Sequence, residues 1–461
     1  MNVLLGVLLG YVGLQLAIGV VISRRIRGED DYLLAGRKLG PTLATASIFA
    51  TWFGAETCVG AAAEVYAGGL RLSLSDPFGY ATCLLLFGLL LAVPLYRLRL
   101  TTLADLFRRR FSPGVERLSA LLLIPTSLFW ASAQVRAFGR VIAWGTSLTA
   151  ETGVAIAAAT ACLYTAFGGL LADAYADLIQ GTVLCVCLLI LSLTVVGDVG
   201  LAETGTLLFQ AGRAAADAPL SWHMLDGWAV PVLGSLFAQE LLSRAVASSS
   251  EQVARRAAIS ASAIYLLVGS MPLLLGAIAR ATLPDADPEA VLSALSHKHL
   301  GTWGYVVLTG ALVSAILSTV DSALLVASSF VSHNLAPAIR PDLSDRQRLV
   351  VARCAVVGLA IVAYAFARGE GTVHDLVSQA SAFGTGGICV VGAMALFTRF
   401  GGRLAAYGAL LLGSASWFCA EYLWRADGAF LFSLLVALAG YLAGALLEGL
   451  VSSASRLDPP G

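Results

Sequence analysis

The feature that most constrains this chain is its succession of apolar runs, each long enough to cross a bilayer and bounded by charged or Pro/Gly-rich breaks. Cutting at those breaks gives thirteen candidate spans, at 3–23, 41–67, 78–98, 117–147, 151–167, 176–198, 227–245, 256–283, 302–332, 348–366, 372–399, 402–423 and 428–451. With 58% of its residues hydrophobic and 13% charged, the chain has too little polar surface to enclose such segments in water. An all-α polytopic membrane protein is expected, because helices satisfy their own backbone groups in lipid. The first run is long enough to span and no small-residue cleavage site clearly follows it, so it reads as a retained helix and not a signal peptide.

Cations orient the bundle. Arg24, Arg25, Arg27, Arg37 and Lys38 follow the first span, and Arg97, Arg99, Arg108, Arg109 and Arg110 follow the third. Arg244, Arg255 and Arg256 follow the seventh, Arg340, Arg346 and Arg348 the ninth, and Arg399 and Arg403 the eleventh. Every cluster falls on one side if the helices start outside and end inside. The opposite loops hold scattered cations such as Arg213, Arg280, Lys298, Arg368 and Arg425. An error of one span would break this pattern, so the charges support the count independently of hydropathy. The expected location is the cell (inner) membrane, with an external amino terminus and a cytoplasmic carboxyl terminus.

Composition removes several functions. Formal net charge is zero and the arginines form short clusters rather than a basic face, so no nucleic-acid partner is expected. The eight cysteines lie almost wholly in apolar segments without metal-ligand or disulfide spacing, and read as small core residues. His223, His297, His299, His333 and His374 are scattered through loops or span ends and form no nucleophile or metal constellation. The chain is therefore not expected to be an enzyme, and no organic cofactor is implied.

Polar residues inside the apolar runs are the informative ones. The run Val313-Ser314-Ala315-Ile316-Leu317-Ser318-Thr319-Val320-Asp321-Ser322-Ala323-Leu324-Leu325 sets hydroxyls and a carboxylate in the ninth span. Such groups are costly in lipid and are kept to hold an ion, line a path or bond another helix. Ser318, Thr319 and Ser322 share a helical sector, with Asp321 beside them and the Ala315 carbonyl one turn earlier. That sector offers only oxygens, which suits a hard cation such as Na⁺; the alternative is hydroxyls bonding back to their own helix.

Two spans look interrupted. Ala50-Thr51-Trp52-Phe53-Gly54-Ala55-Glu56-Thr57 places a glycine, a carboxylate and hydroxyls in the middle of the second. Pro231-Val232-Leu233-Gly234-Ser235-Leu236-Phe237-Ala238-Gln239-Glu240 has the same character in the seventh. Broken helices five spans apart suggest an inverted repeat with a binding site between the breaks. The expected organisation is a first helix and internal linker (1–40), a first core repeat of spans 2–6 (41–198), and an external loop with an interfacial helix (199–226). A second core repeat of spans 7–11 (227–399) follows, then two peripheral helices and a short polar tail (400–461) that carries no soluble domain or lipid anchor.

Five blocks resemble the sodium/solute symporters: Asp31-Tyr32-Leu33-Leu34-Ala35-Gly36-Arg37, the broken Ala50-to-Gly60 segment, Tyr164-Thr165-Ala166-Phe167-Gly168-Gly169-Leu170 leading to Asp177-Leu178-Ile179-Gln180, the Ser248-Ser249-Ser250 turn, and the run from Ser318 to Ser328. They stand in family order and together cover roughly residues 1–450. Within the family, Ala50-Thr51-Trp52, Ala63-Glu64-Val65-Tyr66, Pro77-Phe78-Gly79-Tyr80, Phe129-Trp130-Ala131 and Ser318-Thr319-Val320-Asp321-Ser322 look most like the choline-transporter branch.

The resemblance implies a Na⁺ site from the carbonyls of Ala50, Phe53 and Ala315 and the hydroxyls of Ser318 and Thr319, with Thr319 in place of a serine. It implies a second cation or proton site from Asp177, Ser318, Asp321 and Ser322, with Asp173 replacing an apolar residue. It also implies an aromatic cage for a solute ammonium, with Trp52, Tyr80 and Trp130 as members. A tryptophan of the broken seventh span is replaced by Phe237-Ala238 before Gln239, so the cage is incomplete and choline itself is in question. Glu56, Thr57, Phe237 and Gln239 complete the expected solute-contacting set. Arg136, roughly two turns beyond Trp130, either meets a solute carboxylate or pairs with Glu56, Glu64 or Glu240. The expected partners are a small organic solute, Na⁺ and the bilayer; the sequence leaves the oligomeric state open. The expected function is Na⁺-coupled import of a choline-like or zwitterionic ammonium compound. The rivals are the same fold carrying proline, a sugar or a monocarboxylate, and a membrane sensor or subunit that has lost transport.

Overall fold

The computed structural model describes residues 6, 10, 13, 15, 17, 19–24, 26–70, 74–216, 221–369 and 371–454. Among these every named element is helical, and extended pairing is limited to the Leu39–Ser248 bridge. Among the described residues eight helices are long and apolar enough to cross a membrane. The expected first span lies largely outside the described residues, as does the tail from 455 onward.

Burial sorts the helices into centre and periphery. The stretch Pro288–Ile339 has 94% of its most apolar window inside the protein, against 28% for Asp345–Ala367 and 33% for Ala429–Leu450. The polar run from Ser314 to Ser322 is thus surrounded by protein, where its groups find partners that lipid cannot supply. Its neighbours include Pro113–Gly145, Ala150–Val199 and the first half of the second span, Pro41–Trp52.

The two expected breaks are present. The second span runs as Pro41–Trp52, leaves helical geometry at Phe53 (φ −88°, ψ 68°), and resumes as a π-helical turn Glu56–Gly60 and the helix Ala61–Gly68. The seventh consists of Trp222–Ala229 and Val230–Gly234, then an irregular stretch to extended Ala238, then Gln239–Ala247. Its far end is tied to the linker after the first span: Leu39 N–H donates to Ala247 O (2.9 Å) and Ser249 N–H to Leu39 O (2.8 Å).

Spans five and six form one stretch, Ala150–Val199, bent at Gly169, where φ is +60°. A Cβ there would stand 2.6 Å from Tyr32 O, so glycine is required both by the left-handed backbone and by the approach of the linker helix Glu29–Leu34. The Tyr32 hydroxyl reaches across and donates to Thr165 O (2.6 Å).

Two expectations need correction. The eleventh span is not continuous: Val373–Ala382 and Thr385–Phe397 are separated at Phe383 and Gly384, the latter with φ +69°. Arg244, assigned from sequence to the cationic loop after span seven, is fully buried, with its guanidinium bonded to Asp173 (2.6 Å). A carboxylate between the Gly169 bend and the sixth span accounts for this, since a buried guanidinium persists only with a counter-charge.

Candidate functional site: two helix breaks around an aromatic cluster

Where the second span unwinds, the central helix closes in. A Cβ on Gly54 would stand 3.0 Å from Thr319 Oγ1, 2.9 Å from Gln134 Oε1 and 3.0 Å from Glu56 Oε2, so any side chain here would displace these groups. The helix restart is capped from outside. Gln134 accepts from Ala55 N–H (2.9 Å) and donates to Glu56 Oε2 (2.7 Å), satisfying a backbone donor that the break frees. Thr319 donates to Ala315 O (3.2 Å), which leaves its oxygen lone pairs available to an ion.

The second expected cation site is divided. Asp177 accepts from Ser47 (2.6 Å) and from Ser318. Ser322 instead donates to Asp173 (2.7 Å) and bonds Arg244, while Asp321 accepts from Thr165 (3.0 Å). Ser318 thus stands with Asp177, but Asp321 and Ser322 belong to neighbouring bonds. No group of three or more His, Cys, Asp or Glu residues with metal-binding geometry occurs among the described residues.

Trp52, Tyr80 and Trp130, grouped by the family resemblance, come together in the structure. The Trp52 ring centroid is 5.2 Å from that of Tyr80 and 5.4 Å from that of Trp130, and Tyr80 and Trp130 are 6.2 Å apart. At these separations the rings pack on one another. The cavity beside them, lined by Trp52, Trp130, Phe237 and Gln239 among others, has about 40 Å³, space for a few waters and too little for a solute. Trp52 Nε1 is buried without a hydrogen-bond partner.

Other expected contacts are engaged elsewhere. Gln239 accepts from Leu103 N–H (2.6 Å) and donates to Thr101 O (3.0 Å), linking the seventh-span break to the Leu103–Arg110 helix. Thr57 donates to Asp76 (2.7 Å) and stands 2.6 Å from the Tyr265 hydroxyl. Arg136 does not meet the aromatic cavity. It donates to the carbonyls of Ala367 (3.0 Å), Gly371 (2.9 Å), Phe366 (3.0 Å) and Gly369 (3.0 Å), gathering the turn after the Asp345–Ala367 helix. Of the carboxylates considered for it, Glu56 bonds Gln134 and Glu240 accepts from Ser127 (3.1 Å).

Sequence reasoning missed Gln134, Tyr265, Asp76 and the Arg244–Asp173 pair. Gln134 is a lone amide in the apolar run from Phe129 to Phe138, which is itself a signal for an interhelical bond. Arg244 carried no such signal, because an arginine near a span end looks the same whether it faces water or a buried carboxylate.

The profile of the sodium:solute symporter family matches residues 32–415. The human high affinity choline transporter 1 is 29% identical over 374 residues, covering 76% of this chain and 63% of that protein, so the match spans less than two thirds of the relative's length. The Escherichia coli sodium/proline symporter is 26% identical over 432 residues, covering 87% of this chain and 83% of that protein. Among solved structures, a substrate-bound, outward-open Na⁺-coupled sialic acid symporter superposes with a TM-score of 0.85 at 16% identity, covering 97% of this chain and 98% of that one. A closed nucleobase-cation-symport-1 family transporter superposes with a TM-score of 0.62 at 15% identity, covering 91% and 94%. At such identities the likeness to the solved structures speaks for the fold alone. The profile, however, spans most of the chain, and this multi-pass membrane protein belongs to the sodium:solute symporter family.

Proposed function

We propose that this chain is a Na⁺-coupled secondary active symporter that imports a small organic solute, a choline-like or zwitterionic ammonium compound, by alternating access. The observation that carries the reading is the meeting of the Phe53–Gly54 break with Thr319 beside the Trp52, Tyr80 and Trp130 cluster. A break leaves carbonyls unbonded, and neutral carbonyl and hydroxyl oxygens suit a monovalent ion that must leave again. The ligands proposed are the carbonyls of Ala50, Phe53 and Ala315 with the hydroxyls of Ser318 and Thr319. Asp177, with Ser318 and Ser47 on its two oxygens, is the stronger candidate for a second cation or proton. The name of one relative, a choline transporter, denotes an ammonium compound, while that of the other, a proline symporter, denotes the rival solute.

The architecture proposed with this function is thirteen spans with an inverted repeat of 41–198 and 227–399, flanked by 1–40, 199–226 and 400–461. The amino terminus would be outside the cell membrane and the carboxyl terminus inside. Na⁺ would tie the second span to the ninth and favour the state that admits solute, and release inside would follow the gradient. The aromatic rings, packed on one another in this structure, must part to admit an ammonium.

The test is a thermal-shift screen of the purified protein against choline, betaine, amino acids, sugars and carboxylates, in Na⁺ and in K⁺. Stabilisation by an ammonium compound in Na⁺ alone is expected. A response confined to sugars or monocarboxylates would refute the solute class, and an equal response in K⁺ would refute the coupling.

A further inference from the structure

A second, larger cavity of about 720 Å³ is lined in part by Tyr80 of the aromatic cluster. Its walls carry Glu56, Glu64, Asp76, Asp226, Glu421 and Asp427. Among the described residues, one guanidinium, Arg425, and one imidazole, His223, both on exposed residues, share the wall with these six carboxylates. Glu56 is, with Asp76, one of the two buried members of this set. It is 5% exposed, its Oε2 accepts from Gln134, and its Oε1 has no hydrogen-bond partner. A buried carboxylate oxygen without a donor is rare and calls for one. Arg136, the guanidinium that would have served an anionic solute, is turned to the 366–372 carbonyls and contributes nothing to this wall.

We infer that the solute is an ammonium cation that still carries N–H donors, a protonated amine and not a quaternary one, drawn in through the acidic vestibule and held by Glu56. The inference rests on the ammonium-symporter reading above and narrows it. A quaternary ammonium offers no N–H, so ring faces alone recognise it. Here the ring cluster is joined by an unsatisfied acceptor: Glu56 follows Trp52 by four residues in the broken span and lines the vestibule together with Tyr80. A charge-assisted N–H···O bond to Glu56 adds a term that discriminates between amines differing by one methyl group. The excess of carboxylates around the entrance raises the local concentration of cations and speeds their arrival.

The experiment uses the full-length purified protein in Na⁺ and measures binding of ethanolamine, N-methylethanolamine, N,N-dimethylethanolamine and choline through tryptophan fluorescence. In the wild type, dimethylethanolamine, with one N–H, should bind about tenfold or more tightly than choline. Glu56→Gln should weaken dimethylethanolamine far more than choline, so that the preference falls to about twofold or less. The inference is overturned if choline binds most tightly in the wild type, or if the preference survives Glu56→Gln. If none of the four binds in Na⁺ while a sugar or carboxylate does, the ammonium reading fails along with it. Should Glu56→Gln not fold, the exposed pair Glu421→Gln and Asp427→Asn serves instead. With it the association rate of all binding cations should fall and lose its salt dependence; an unchanged rate overturns the vestibule's role.

Discussion

Single residues decide whether the polar centre of the bundle holds an ion or merely glues helices. Thr319 stands at the Gly54 junction with lone pairs free, so Thr319→Ala should abolish Na⁺-dependent thermal stabilisation while leaving the melting temperature in K⁺ nearly unchanged. Persistent Na⁺ stabilisation would remove Thr319 from the ion site. Arg244 poses the opposite case, since both it and Asp173 are buried and each is the other's counter-charge. Arg244→Met should cost about 3–5 kcal/mol by stranding Asp173, and adding Asp173→Leu should recover much of it, because an apolar pair avoids desolvating two charges. A double variant as damaged as the single one would show that the pair does more than balance charge. The resemblance singled out Thr319, Trp52 and Tyr80, because a hydroxyl or ring inside a span stands in a family motif that can be matched locally. It could not place Arg244, because an arginine near a span end is written the same way whether it faces water or a carboxylate on another helix.

At the scale of elements, turns and short helices between spans hold the breaks in place. The Leu103–Arg110 helix takes Gln239 at its start, and its Asp105 bonds the Thr101 and Thr102 N–H groups (2.9 and 3.0 Å), Asn334 (3.1 Å) and His333 (3.4 Å). Burial pushes the Asp105 carboxyl up, but His333 and the Thr102 and Thr101 amides outweigh it and hold the group down, from 3.8 to about 2. A carboxyl whose folded value is depressed contributes stability above its unfolded value and loses it as pH falls through the folded one. Asp105→Asn should therefore lower stability by about 2 kcal/mol at neutral pH, with the gap to wild type closing between about pH 5 and 2. A gap that does not depend on pH, in melting curves taken from pH 7 downward, would refute this account. Arg136 works through an element too: its carbonyl partners fix the turn from which Val373–Ala382, with Ser381 beside the aromatic cavity, departs. Arg136→Gln should speed amide exchange in 366–372 and leave the ratio of betaine to choline affinity unchanged. A selective loss of betaine would return Arg136 to the solute. The spacing of Trp130 and Arg136 was legible, but the fate of the guanidinium depended on a turn over two hundred residues away in sequence.

For the whole molecule, hydropathy was enough to foresee an all-helical membrane bundle, and glycine and polar residues inside two apolar runs were enough to foresee interruptions near Gly54 and Ser235, because these signals are local. The break at Gly384 was not foreseen: Thr385-Gly386-Gly387-Ile388 reads as apolar continuation, and the left-handed turn before it is a matter of how that span meets its neighbours. What such a bundle does as a unit follows from sharing one broken helix between two ligands. The Ala50–Glu56 segment contributes proposed ion ligands at Ala50 and Phe53, and proposed solute contacts at Trp52 and Glu56. Any ion that fixes its geometry prepays the ordering that the solute would otherwise require, and the solute does the same for the ion. Thermodynamic linkage then makes the two enhancements equal. Na⁺ should raise solute affinity by roughly 5–150-fold, and saturating solute should raise Na⁺ affinity by the same factor. Gly54→Ala provides the contrast, since its methyl group would press on Thr319, Gln134 and Glu56 at about 3.0 Å and disturb both ligand sets at once. In that variant each ligand alone should bind more weakly and the factor linking them should shrink towards one. Unequal enhancements in the wild type, or a Gly54→Ala protein with full coupling, would show that ion and solute do not communicate through this segment.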